Sequence, residues 1–387
     1  MSVRRCVSFA LGLLLAACDS SANDAMDDSD PPLCAPTLPA ALRGYSGADA
    51  PIPRHFLSST AGTVRFTDNL SPSNPITNAG ATLGRVLFYD VRLSANNRVA
   101  CASCHRQTFG FGDTARFSPG FHGLHPARRT MALANARFNP SGRFFWDERA
   151  PTLEAQVLQP IQDTLEMAMP LDTLERKLAG TQFYPSLFAA AFGSPDVTRD
   201  RIAMALAQFV RSLVSAGSRF DAVFATGGAP DTSQLSAIEW HGLRIFVTAG
   251  CVNCHRTIAH VADRANNIGL DSLPVDSGAG QGRFKPPSLR NIAVRPPYMH
   301  DGRFQTLREV VEFYDHGVRA DRLLDPRLRA PDGSPRRLGL SPRQVDALIA
   351  FLHALTDSTF LNADEFSDPF RCRTASLPGR PRSAGSS

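Results

Sequence analysis

Apolar residues recur at helical spacing along most of this chain, and alternation of the strand kind is nearly absent. Residues 77–90 read as a helix: Thr77 supplies a cap, and Leu83, Val86, Leu87 and Phe88 make one apolar side. A second helix of the same design opens on the capping box Ser236-Ala237-Ile238-Glu239. In both, a glycine and a phenylalanine stand one turn apart, Gly84 with Phe88 and Gly242 with Phe246. Further helices are expected over 151–159, 171–178, 198–214 and 306–314, and from Ser341-Pro342 onward. In 198–214 the apolar face is Ile202, Leu206, Phe209, Val210 and Leu213; in the last helix it is Val345, Leu348, Ile349 and Leu352. Gly-, Pro- and His-rich residues 109–129 read as a loop, and a long loop runs from after Cys251 to Pro287. A Gly/Pro hinge at 225–233 marks the boundary between domains expected at 51–228 and 229–372. The pattern predicts a mainly α fold.

The two ends read differently. Arg4 and Arg5 precede an apolar run over 7–17, too short to span a bilayer, which reads as a signal peptide over 1–17. Leu15-Ala16-Ala17-Cys18 looks like a bacterial lipobox, with cleavage before Cys18 and lipid on its thiol. Residues 18–50, rich in Asp, Ser, Pro and Ala, read as a flexible tether, and 373–387 as a disordered tail. The expected product is exported, periplasmic, and held to the membrane only through its lipid. The formal charge of +5 is carried almost wholly by scattered Arg; Lys occurs only at 177 and 285. No basic run of the nucleic-acid kind is present, and a solvated surface accounts for the charge.

The chemistry lies in Cys101-Ala102-Ser103-Cys104-His105 and its repeat, Cys251-Val252-Asn253-Cys254-His255. C-x-x-C-H is the spacing that attaches c-type haem: two thiols add to the vinyl groups of one porphyrin, and the adjoining His reaches the iron. A redox dithiol or half a zinc site shares the Cys spacing, but two copies, each behind a similar helix, favour two covalent haems. The Gly/aromatic helix before each motif resembles the N-terminal helix of cytochrome c domains, and the helix from Pro342 resembles the C-terminal helix that crosses it. The fold expected is two cytochrome c-type helical domains. With Cys6 lost in the signal, Cys18 lipidated and four thiols on haem, Cys34 and Cys372 remain to pair in an oxidising compartment.

Longer motifs carry a family resemblance. Arg143-Phe144-Phe145-Trp146-Asp147-Glu148-Arg149-Ala150, Leu153-Glu154-Ala155-Gln156 and residues 160–167 resemble the bacterial di-haem cytochrome c peroxidases and MauG-type enzymes. So do the run from Phe284 through Lys285-Pro286-Pro287-Ser288-Leu289-Arg290 to Asn291, and Pro297-Tyr298-Met299-His300-Asp301-Gly302. The resemblance implies that His105 holds a peroxidatic haem, His255 an electron-transfer haem, and Trp146 a relay between them. It makes Gln156, Pro160 and Glu166 distal-pocket residues, with Glu166 as acid/base group. Glu148 stands where the family has Gly.

The family often holds calcium between the haems through an Asn and the carbonyls of positions matching Arg295 and Pro297. The Asn position is Arg129, which cannot ligate calcium and repels it, so the ion stays open and the guanidinium is the alternative source of charge. His122, with His125 behind it, lies where some members place a loop His on the peroxidatic iron; an exposed loop His is the other reading. Tyr314 falls where the peroxidases carry a Met ligand to the second iron, and MauG-type enzymes also carry Tyr there; Met299 reads as packing. The function implied is reduction of hydrogen peroxide with electrons from a small periplasmic cytochrome c or cupredoxin. The alternatives are a MauG-type oxidase acting on a client protein and a two-haem electron carrier.

Overall fold

Side-chain caps start most of the helices. In the computed structural model, α1 is Asn78–Tyr89, opened by Thr77, whose side chain accepts from the Gly80 N–H at 2.9 Å. Thr152 caps α2 (Leu153–Gln162) in the same way. That helix runs past the expected end and through Pro160, which cannot donate to the Gln156 carbonyl. Next come α3 (Leu171–Ala179), α4 (Tyr184–Phe192) and α5 (Arg199–Ser212), the last capped by Thr198. The sequence pattern does not predict α4, which is apolar on nearly every side and so lacks a helical period. Then follow α6 (Ala237–Thr248), α7 (Leu307–Glu312) and α8 (Pro342–Ala354), all three with capping boxes. The helix expected over 306–314 ends early, because residues Phe313–Gly317 widen into one turn of π-helix. Only isolated β-bridges occur among the described residues, so the chain is mainly helical as expected.

The structure describes residues 33–39, 44–46, 52–58, 64–226, 229–261 and 264–370. The signal peptide, Cys18, most of the tether, Cys372 and the tail lie outside them. Cys34 is disulfide-bonded; its expected partner Cys372 is outside the described residues.

Two helix crossings repeat one design. A Cβ on Gly84 of α1 would collide with the Ala205 carbonyl and Phe209 Cβ of α5. A Cβ on Gly242 of α6 would collide with the Ala347 carbonyl and Phe351 Cβ of α8. The expected aromatics pack each crossing: Phe88 meets Phe209 and Phe246 meets Phe351, both pairs with ring centroids 5.2 Å apart. Around each crossing lies a separate apolar core. The cores do not follow chain order. Phe360, Leu361 and Phe366, after α8, pack into the α1/α5 core, while Phe56, Val64 and Phe138 pack into the α6/α8 core. Each crossing presents the C-x-x-C-H segment that follows its first helix to a cavity of its own.

Candidate haem sites

The first motif forms a short helical turn, Cys101–Cys104, whose start is fixed when Ser103 Oγ accepts the Ala100 N–H at 3.0 Å. Burial pushes the Cys101 thiol up to about 12 and the Cys104 thiol up to about 11, so both are protonated in the free chain. The backbone then doubles back through the bridge between Arg106 and Gly112. That brings the Phe111 carbonyl 3.0 Å from His105 Nδ1, which donates to it. That hydrogen bond orients the ring through Nδ1, and burial lowers its pKa, so it is a neutral ligand.

Both thiols and His105 line a cavity of about 900 Å³, within the range of cofactor sites. Trp146, Gln156, Pro160 and Glu166 line the same cavity. Glu166 lies on a tight turn, with its N–H on the Asp163 carbonyl at 3.1 Å. The loop at Gly120 presses against this turn so closely that a Cβ there would strike the Leu165 carbonyl and Glu166 Cα. Burial, helped by Asp163, raises the Glu166 carboxyl to about 7. Its side chain has no hydrogen-bond partner among the described residues, so it is available to a ligand in the cavity. His122 and His125 are exposed and do not line this cavity.

Cys251, Cys254 and His255 line a second, tighter cavity of about 220 Å³. Burial lowers His255 to about 4. Its Nδ1 lies near the His260 backbone without reaching hydrogen-bond geometry. Tyr314 lines this cavity from the π-helical turn, and Met299, at φ 72°, lines it too. Burial raises the Tyr314 phenol, and the two thiols add to that. Each cavity therefore offers two thiols and one neutral imidazole, the donor set that covalent haem requires.

Trp146 lines both cavities. It is 9% exposed, and its Nε1–H donates to the Arg129 carbonyl at 2.6 Å. Lys285 also lines both, and the sequence reading gave it no role. Its N–H donates to the Trp146 carbonyl at 2.8 Å and its Nζ to the Arg143 carbonyl at 2.7 Å. Burial lowers its pKa to about 7. Arg295, 2% exposed, reaches only carbonyls of Ser288 and Arg290. Cations buried without carboxylate partners are costly unless an anion completes them, and haem carboxylates are of the right charge. The available signal was composition: Lys285 is one of two Lys in an Arg-rich chain. The Glu148 departure also has a physical basis. Its φ of 54° suits Gly, and Ser141 Oγ, donating to its carboxylate at 2.8 Å, and Arg143 Nε, donating to its carbonyl at 2.8 Å, hold the Glu in place.

Comparison with known proteins agrees with this geometry. The family model for the di-haem cytochrome c peroxidases matches residues 78–228. The methylamine utilization protein MauG of Methylophilus methylotrophus is 34% identical over 73% of this chain and 84% of its own. The cytochrome c551 peroxidase of Nitrosomonas europaea is 34% identical over 66% of this chain and 79% of its own. Among solved structures, a MauG-like protein associated with microbial copper homeostasis superposes with a TM-score of 0.71 at 28% identity. That match covers 79% of this chain and 98% of the other.

Proposed function

The chain belongs to the di-haem cytochrome c peroxidase family, and from that premise we propose that it reduces hydrogen peroxide to water with two electrons drawn from a small periplasmic redox protein. The observation that carries this reading is Glu166, a carboxyl poised near neutrality in the cavity that also holds the first C-x-x-C-H. Cys101 and Cys104 would hold one haem with His105 as its ligand; Cys251 and Cys254 would hold the other with His255. When bound, the haems supply the redox equivalents and the iron at which peroxide binds. Peroxide reduction consumes two electrons and two protons and yields two waters, so the cavity needs a group that shuttles protons between the two oxygens. Glu166 accepts a proton from the near oxygen and returns it to the departing one. Gln156 hydrogen-bonds the peroxide and orients it. Trp146, shared by the two cavities, divides one long electron transfer into two shorter ones.

Among the described residues no helix is long and apolar enough to cross a membrane. Lipidation of Cys18 would anchor an exported chain. Neither Glu166 nor Gln156 in that cavity is needed by a two-haem carrier. The MauG-type reading, oxidation of a client protein, is favoured by one observation: Tyr314, not Met alone, faces the second cavity. A phenolate would lower the potential of that haem and make it a poor acceptor from high-potential donors. Rapid mixing of the holoprotein with peroxide tests the leading reading. Glu166→Gln is expected to slow peroxide cleavage roughly a hundred- to ten-thousandfold with haem spectra unchanged; an equal rate would remove Glu166 from the chemistry.

A further inference from the structure

Between the two cavities one side chain and its backbone bond to both sides. Arg129 is 5% exposed and lines both cavities. Its guanidinium Nη2 donates to the Arg295 carbonyl at 2.7 Å and also to the Asp113 carbonyl. Its backbone N–H donates to the His300 carbonyl at 2.8 Å. Its own carbonyl accepts the Trp146 indole. The Asp113 turn follows the first C-x-x-C-H, while Arg295 and His300 belong to segments lining the second cavity, so the contacts of this residue span both sides.

The Arg295 carbonyl is one of the two oxygens that the family resemblance assigns to calcium. Here it is taken by a guanidinium nitrogen. The Asp113 carboxylate is no substitute ligand, because it is engaged by Arg106 and accepts from Ser118 Oγ at 2.5 Å. Burial lowers Arg129 only to about 10, so it stays a cation at neutral pH. Neighbouring Arg295, lowered to about 9 by burial and by the Arg129 charge, adds a second cation. A divalent ion placed among these carbonyls would meet two fixed positive charges at close range in a region of low dielectric.

We propose that Arg129 is the fixed interhaem cation of this chain: its guanidinium occupies the carbonyl cage in place of calcium, so coupling between the two haem sites is independent of divalent metal. The proposal rests on the two-haem reading, and its outcomes stay distinct from those of the peroxidase assignment because none of them depends on turnover. Three consequences follow. The charge raises the potential of both haems, since a nearby cation favours the reduced form. The carbonyls of Arg295 and Asp113 are satisfied without a metal shell. The Trp146 indole is held through the Arg129 backbone whether or not calcium is present.

The test uses the full-length holoprotein. Elemental analysis after gel filtration should find far less than one calcium per chain. Dialysis against EGTA, followed by titration with calcium chloride, should leave both midpoint potentials and the interhaem electron-transfer rate after flash reduction unchanged. Arg129→Met should lower both midpoint potentials, because a nearby cation favours the reduced form, and slow the interhaem step. Arg129→Lys should restore most of the potential shift, which a purely space-filling role would not do. Stoichiometric calcium whose removal shifts a potential would overturn the proposal. So would an Arg129→Met protein with both wild-type potentials, or an Arg129→Lys protein no better than Met. If Arg129→Met fails to fold, the EGTA and elemental measurements on the parent still decide.

Discussion

At the scale of single residues the two cavities differ most in what faces the haem. Glu166 is raised from an ordinary carboxyl value of 4.5 to about 7, first by burial and then by Asp163. To take a proton from peroxide it must be ionised. The rate of peroxide cleavage should therefore climb as pH rises through about 7 and level off above it, and this limb should be missing from Glu166→Gln. For stability the sign is reversed, since a carboxyl whose folded pKa is raised binds its proton more tightly in the folded state. Its contribution is present below pH 4.5 and is lost as pH rises through 7. In the second cavity Tyr314 and Met299 both line the wall. If the phenol is the iron ligand, Tyr314→Met should raise the midpoint potential of one haem and leave the other in place. A wild-type spectrum with the signature of His/Met ligation would assign the position to Met299 instead. The chemistry-bearing residues were legible because motif spacing is local: Trp146, Gln156 and Glu166 fall within one short stretch and line one cavity. Lys285, which lines both cavities, and Arg295, which lines the second, were not legible as partners of the sites, because what marks them is burial, and burial is set by segments far away in the chain.

At the scale of elements, three helix starts were legible in the sequence, at Thr77, Ser236 and Ser341, and the structure adds further caps. Thr77, Thr152, Thr198, Ser236, Thr306 and Ser341 each stand just before a helix. The paired Gly/Phe turns mark the close crossings in the sequence itself. What sequence periodicity could not supply was α4, apolar all round, and the π-helical turn that carries Tyr314, because both depend on packing rather than on local pattern. The crossings themselves are testable. At Gly242 the nearest obstructing atoms are the backbone carbonyl of Ala347 in α8, which cannot step aside as a side-chain end could. Gly242→Ala should destabilise the protein by about 1–3 kcal/mol, the usual scale of overpacking. Gly180→Ala is the control: it has negative φ and no obstruction closer than 3.5 Å, and chemical denaturation should find it close to the parent. Equal losses at both positions would show that the effect is not the crossing.

At the scale of the whole molecule, the cores are interleaved: residues after α8 complete the α1/α5 core, and residues before α1 join the α6/α8 core. A linear sequence with a Gly/Pro hinge suggests two beads, and nothing local in it reveals that Phe360, Leu361 and Phe366 pack onto the first bead or Phe56 and Val64 onto the second. Interleaving gives the interhaem region a fixed geometry, with Trp146 buried between the cavities and bonded at both its indole and its carbonyl. Trp146→Phe should keep both haems and the folded state, while peroxide still oxidises the first site and electron delivery from the second slows. Unchanged delivery, followed by stopped-flow spectroscopy of each haem, would mean that electrons take another route. The central claim is catalysis by two coupled sites, and its most direct measurement is steady-state turnover of the holoprotein with hydrogen peroxide and reduced cytochrome c. The account predicts saturable consumption of both, with two cytochromes oxidised for each peroxide. Peroxide left unconsumed, or consumed without oxidation of a cytochrome c or cupredoxin donor, would contradict it.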